Sequence, residues 1–285
     1  MREAFKIFLL TVMFSLTYSF SGLVDDYGRG KNNVPEATSG LTEDDKKPLV
    51  IWLQGGPGGS SMFGLFTELG PFSVTKVFID NPVGAGFSFT KKDSGYATDE
   101  TDVARDLYEL LVQLYKLFPS LQSNKLFITG ESYAGKYIPA MPTRSTRRTK
   151  GKTKSEPLTR KNIHVGSYTF QNGYATYEHL LGDMFQSARP WVEELLTAEE
   201  FPIMFYSGQL DIIVAYPLSL GFYDALEWPH ASEYHKANRC QFIVGNEVAG
   251  YYKTAGTFTE YWFGILGTWY PLRNQSGPLS FWTGL

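Results

Sequence analysis

The chain has 285 residues, room for one large domain or two small ones at about 150 residues each, and too long for a miniprotein. Its 43% hydrophobic, 16% aromatic and 19% charged residues can bury a sizeable core, which excludes a wholly disordered chain. A formal net charge of −3 argues against a nucleic-acid partner, which would call for a basic face.

Arg2 and Lys6 flank the start of the apolar run Ile7 to Leu16, and small residues follow from Ser19 to Gly22. This is the layout of a secretory signal peptide over residues 1–22. The run is shorter than the roughly 20 residues of a membrane span, so no membrane attachment is expected after cleavage. Residues 23–47 are polar and read as an extension. Pro48 to Leu53 is a continuous apolar run ending in Gly55-Gly56-Pro57-Gly58-Gly59, the pattern of a buried strand entering a tight turn. Val77 to Asp80 reads as a second strand. Val103, Leu107, Leu110, Leu111, Leu114 and Phe118 recur at helical spacing behind Thr101, a plausible N-cap. Lys125 to Thr129 reads as a third strand that leads into Gly130-Glu131-Ser132-Tyr133-Ala134-Gly135. Strands alternating with helices imply a mostly parallel sheet and an α/β fold.

Residues 143–162 carry eight basic residues and only Glu156 as an acid, with too few apolar residues to pack. They read as a solvated basic linker. Order resumes with a short helix from Pro190 to Leu196, a strand from Phe201 to Tyr206 ending at Ser207-Gly208-Gln209-Leu210-Asp211, a helical piece, and a strand from Cys240 to Val244. Cys240 is the single cysteine, so no intrachain disulfide can form.

A serine on a sharp strand-to-helix turn needs small neighbours two positions before and after it, because the strained backbone brings them close. Gly130 and Ala134 supply them for Ser132; Gly135 falls one place too late for the strict five-residue pattern. Taken alone, this turn fits an ordinary Gly-rich bend as well as a nucleophile. An acyl-transfer serine also needs amide donors for the oxyanion, a base and an orienting acid. The amides of Gly56 and Tyr133 are candidate donors, and Asp211, at a strand end downstream of Ser132, is the candidate acid. No metal or cofactor is expected.

Trp52 to Ser61, Gly70-Pro71, Ile79 to Gly84 with Gly86-Phe87-Ser88, Gly130 to Gly135, and Ser207 to Asp211 together resemble the serine carboxypeptidases, in particular the vitellogenic-like branch. The resemblance implies an α/β-hydrolase fold with a mostly parallel central sheet. It implies release of C-terminal residues from peptides through an acyl-enzyme, and a secreted or lysosomal location. By resemblance, Ser132 is the nucleophile, Asp211 the triad acid, and Gly56 with Tyr133 the oxyanion hole. Trp52, Gln54, Glu68 and Glu131 match positions that bind the substrate's free carboxylate. Two acids such as Glu68 and Glu131 held close together cannot both ionise cheaply, so one stays protonated and can donate to a carboxylate at low pH.

The sequence departs from that family at Gln54, where many relatives carry Asn, and in three further places. Between Thr75 and Val77, and between Pro142 and Asn162, the family has more chain, the second stretch being its helical cap; the cap is therefore expected to be largely missing. Of His164, His179, His230 and His235, only the last two follow Asp211 as the triad order requires, and neither has a family-like setting. Where the family carries Gly-His-x-Val-Pro, this chain reads Trp262 to Pro271 without a histidine. Read one base out of frame, codons for that stretch can spell Val-Arg-Asn-Ser-Gly-His-Met-Val-Pro. The expected organisation is a hydrolase domain in two parts, 23–142 and 163–260, followed by an aberrant tail, 261–285, that reads as frameshifted. Two other functions fit the same elbow: an esterase or acyltransferase, and a non-catalytic secreted binding protein.

Overall fold

The computed structural model describes residues 10–11, 48–65, 75–90, 92–147, 170–244 and 246–264. Only Leu10–Thr11 of the expected signal segment falls within them.

Three strands run parallel in the order β3-β2-β5: β2 (Leu49–Leu53), β3 (Thr75–Ile79) and β5 (Leu126–Gly130). Strand β1 (Leu10–Thr11) lies antiparallel on the outer edge of β3. The uninterrupted apolar sequence of β2 follows from its central place, where both faces are covered. The first long helix, α1, spans Glu100–Leu117 and buries Val103, Leu107, Leu110 and Leu114 along one stripe. Its cap is Asp99 rather than the expected Thr101. Asp99 has an extended backbone and its Oδ1 accepts from the Asp102 amide at 2.8 Å, whereas Thr101 already lies inside the first turn.

Helix α2 (Ala134–Arg147) follows β5 and runs five residues into the stretch expected to be linker. The rest of that stretch lies outside the described residues. A short antiparallel pair joins β4 (Ala85–Gly86) to β6 (Gln171–Asn172), and α3 (Tyr174–Leu180) and α4 (Arg189–Ala198) come next.

The second sheet is β7 (Ile203–Gly208), β10 (Phe258–Phe263), β9 (Glu247–Ala255) and β8 (Cys240–Val244), in that order. β10 runs parallel to β7 and antiparallel to β9. Helices α5 (Tyr216–Asp224) and α6 (Ala231–Lys236) lie between β7 and β8 in the chain. β10 pairs in register through Phe263, so Tyr261, Trp262 and Phe263 belong to the sheet although they lie past the expected boundary at 260. Residues 265–285 lie outside the described residues.

Each sheet has its own core. Leu49, Ile51, Leu53, Val77 and Ile79 pack with Val103, Leu107, Leu114 and Tyr137 in the first. Val192, Leu196, Tyr223, Trp228, Tyr234 and Phe258 form the second. Among the described residues, β5 pairs only with β2 and β7 only with β10, so each leaves one edge without a partner strand. A cavity of about 2030 Å³ is lined by both strands and reaches the loops at their C-terminal ends.

Candidate active site

Strand β2 ends at Leu53, and the chain turns through Gln54-Gly55-Gly56 directly against the turn that follows β5. A methyl group at Gly55 would lie 2.7 Å from the Tyr133 amide nitrogen and 2.8 Å from Ser132 Cβ, so only glycine lets the two loops touch. Ser132 sits at the apex of its turn with φ 54°, a left-handed conformation that costs a side-chain-bearing residue roughly 1–2 kcal/mol. Its side chain is exposed.

The requirement for small neighbours is met as the sequence demanded. A Cβ on Gly130 would lie 2.7 Å from Ala134 Cβ and 2.4 Å from the Leu53 carbonyl oxygen, while a Cβ on Gly135 would meet nothing within 4 Å. The departure from the strict five-residue pattern is therefore harmless, because the contact that needs a small residue is made at 134. Beyond the turn, Ala134, Gly135 and Lys136 donate to the carbonyls of Glu131, Ser132 and Tyr133 and start α2. Among the described residues the amides of Gly56 and Tyr133 donate to no protein acceptor. Two free amides beside an exposed serine are the components of an oxyanion hole.

Trp52, Gln54 and Glu131 form a hydrogen-bonded chain. The indole Nε1 of Trp52 donates to Gln54 Oε1 at 2.9 Å, and Gln54 Nε2 donates to Glu131 Oε1. The Gln54 amide is in turn held by Ser61 Oγ at 3.1 Å. Glu68 lies outside the described residues, so the expected acid pair is described only on its Glu131 side.

Asp211 follows β7. Its Oδ1 accepts from the amides of Ile213 and Val214 at 2.9 and 2.8 Å, which fixes the loop as an Asx turn. It lines the same cavity as Gln54, Gly56, Glu131 and Ser132. Of the residues expected at the site, the cavity gathers these five, while Trp52 and Tyr133 support it from behind.

Among the described residues no histidine lines that cavity. His179 faces Asp93 at 3.2 Å and stacks on Tyr96, His230 lies between Glu199 and Glu233 at 2.9 and 2.7 Å, and His235 faces Asp224 at 3.7 Å. His164 lies outside the described residues. The chain leaves β10 beside the Asp211 loop: the Gln209 amide donates to the Phe263 carbonyl at 2.9 Å. The end of β10 is thus tied to the start of the Asp211 loop.

Two buried groups near the site were not singled out as functional from the sequence. Asp80 accepts from Ser60 Oγ at 2.6 Å and from the amides of Ser61 and Phe87, both at 2.9 Å, tying the glycine-rich loop to the β4 turn. Burial pushes its carboxyl above the ordinary range despite those donors. Its place in Asp80-Asn81-Pro82-Val83-Gly84 was the available signal. Behind Ser132, Lys136 pairs with Asp183 at 2.6 Å and donates to the Tyr133 hydroxyl at 3.2 Å, and Glu100 lies buried beside them. Nothing in the sequence distinguishes Glu100 from an ordinary first-turn acid.

Comparison with known proteins agrees with this geometry. The family model "Serine carboxypeptidase" matches residues 36–163 and 152–264. The chain is 31% identical over 345 positions to the venom serine carboxypeptidase of Apis mellifera, covering 77% of this chain and 73% of the relative. It is 30% identical to the probable serine carboxypeptidase CPVL of Homo sapiens, covering 76% and 72%. Those 345 positions exceed by more than a hundred the residues this chain contributes to the alignment, so the relatives carry extra internal chain. The solved structure of Kex1Δp, a prohormone-processing carboxypeptidase from Saccharomyces cerevisiae, superposes with a TM-score of 0.58 at 17% identity, covering 76% of this chain and 78% of that one. That superposition supports the expected α/β-hydrolase fold. With the matched segments spanning most of its length, the chain belongs to the serine carboxypeptidase family.

Proposed function

We propose that the site is that of a carboxypeptidase releasing the C-terminal residue of a peptide through an acyl-enzyme on Ser132. The observation that carries this is the apposition of the exposed Ser132 apex to two unengaged amides, Gly56 and Tyr133. Attack by Ser132 Oγ on the scissile carbonyl puts negative charge on its oxygen, which these amides stabilise. Asp211 serves as the acid that orients a base. The Trp52-Gln54-Glu131 chain, with Glu68, receives the free carboxylate of the substrate. The expected secreted or lysosomal location suits a carboxylate site that works best when one of its acids is protonated.

In this chain the reaction is impaired. The general base is absent from the described part of the site, and loss of a triad member costs on the order of 10⁴ to 10⁶ in rate. A missing cap would remove a wall of the pocket. The test replaces the nine residues 262–270 by the nine-residue alternative-frame reading, Val-Arg-Asn-Ser-Gly-His-Met-Val-Pro. The parent chain is expected to resist fluorophosphonate labelling. The replaced chain is expected to label at Ser132 and to cleave a free-acid peptide but not its carboxyl-blocked twin. Equal cleavage of both peptides would assign an esterase or endopeptidase instead, and an unlabelled replaced chain would leave a binding protein.

A further inference from the structure

Glu100, the first residue of α1, is 0% exposed, and neither of its carboxyl oxygens has a hydrogen-bond partner among the described residues. An ionised carboxylate without donors in such a place costs several kcal/mol, so the group resists charging. The groups around it come from three elements. Asp99 precedes it on its own helix; Tyr133, Lys136 and Tyr137 come from the elbow and α2; and Asp183 comes from the turn after α3. The cation is already committed. Lys136 Nζ pairs with Asp183 Oδ2 at 2.6 Å and also donates to the Asp183 carbonyl oxygen, with both side chains largely buried. A charge on Glu100 would set a second acid against one lysine. The helix N-terminus favours a charged acid, but by no more than about 2 kcal/mol.

The cluster reaches the oxyanion hole through Tyr133, which lies against the glycine loop. Tyr133 follows Ser132 and supplies one amide, and its hydroxyl is held by Lys136 and Asp183 at 3.2 and 3.4 Å. Its ring packs edge-on against Tyr137 at 5.3 Å, and a methyl group at Gly55, in the loop that carries Gly56, would lie 2.7 Å from the Tyr133 amide nitrogen.

We propose that Glu100 is a positioning residue: as a neutral acid it completes the packing of Tyr133 and Tyr137, keeping the Ser132 turn against the glycine loop, and its ionisation releases both. The proposal rests on Ser132, Gly56 and Tyr133 being an acyl-transfer site. Burial and Asp183 raise the Glu100 carboxyl to about 8. An opened elbow would return it to the ordinary carboxylate range, so the closed form binds one more proton between the two values. Opening is then promoted by up to about tenfold per pH unit across that window and levels off above it. The site is most closed in acid.

The test is hydrogen exchange of the full chain at pH 5 to 9, corrected for intrinsic rates, with residues 203–208 and 258–263 as internal reference. Protection at 54–59 and 131–137 is expected to fall with pH and level off near 8, while the reference segments hold. Glu100→Gln, neutral at every pH, is expected to keep protection flat. Should that variant fail to fold, Asp183→Asn serves: with the competing acid removed, the fall should level off at a lower pH. A parallel fall in parent and Glu100→Gln, a fall in the reference segments in step, or an unmoved plateau in Asp183→Asn would each overturn the proposal. An unreactive Ser132 in the base-restored chain would instead overturn the site assignment and leave the exchange result standing.

Discussion

The two sheets of this protein contribute to one cavity but are built on different plans. The first is parallel apart from its edge strand β1, with β2 central and its core closed by α1 and α2. The second is largely a meander, β8-β9-β10, whose core is aromatic and centred on Phe258, with Phe205, Tyr223, Trp228 and Tyr234 packed around it. Adjacent strands normally lie about 4.8 Å apart. At the C-terminal ends of β5 and β7, however, the long Tyr206 side chain spans the space, its hydroxyl donating to the Gly130 carbonyl at 3.3 Å. Serine and glycine loop come from one sheet, the acid from the other. What aligns them is contact at one rim of a cavity and not a shared ladder, so the site's geometry is less secure than either core.

Two such units should lose structure separately. The strongest challenge to that view is Phe258→Ala. The side chain is 0% exposed, and its loss should cost about 3–5 kcal/mol. Hydrogen exchange should quicken at 203–208 and 258–263 while 49–53 and 126–130 keep their protection. Equal quickening at all four would make the molecule one cooperative unit.

Lys136→Met probes the first unit from the site side. It strands Asp183 beside Glu100 without a cation, which should cost about 3 kcal/mol and act on 126–137 but spare the second sheet. Thermal unfolding followed by segment-resolved exchange would report it. A loss spread over both sheets would show that α2 couples them.

Ser132→Gly has the smallest effect and the opposite sign. With φ at 54°, glycine relieves strain and should stabilise the first unit by about 1 kcal/mol in denaturant unfolding. A neutral or destabilising result would place the strain of the elbow elsewhere.

Much of this arrangement was written locally. The strands at 49–53, 126–130 and 240–244 follow from runs of apolar, β-branched and aromatic residues, and the Ser132 elbow from the size of residues 130 and 134. The β9-β10 hairpin is not legible in the sequence. Its aromatic residues do not alternate cleanly with polar ones, and the cue, Gly256 at φ 47° between Ala255 and Thr257, is short. Local patterns also could not reveal Glu100: an acid one residue into a helix normally faces water, and its burial, near Lys136 and Asp183 from distant segments, follows from the tertiary fold. The expected pairing of Gln54 with Glu131 in one site came from resemblance, since a hydrogen bond between residues 77 apart leaves no periodicity.

The register of β10 reaches beyond the sheet. Because Phe263 lies opposite Gly208, the end of β10 is held beside the strand end that leads into the Asp211 turn. Main-chain hydrogen bonds make that pairing on both sides of β10, so a change in the side chains of this strand would leave its anchorage in place.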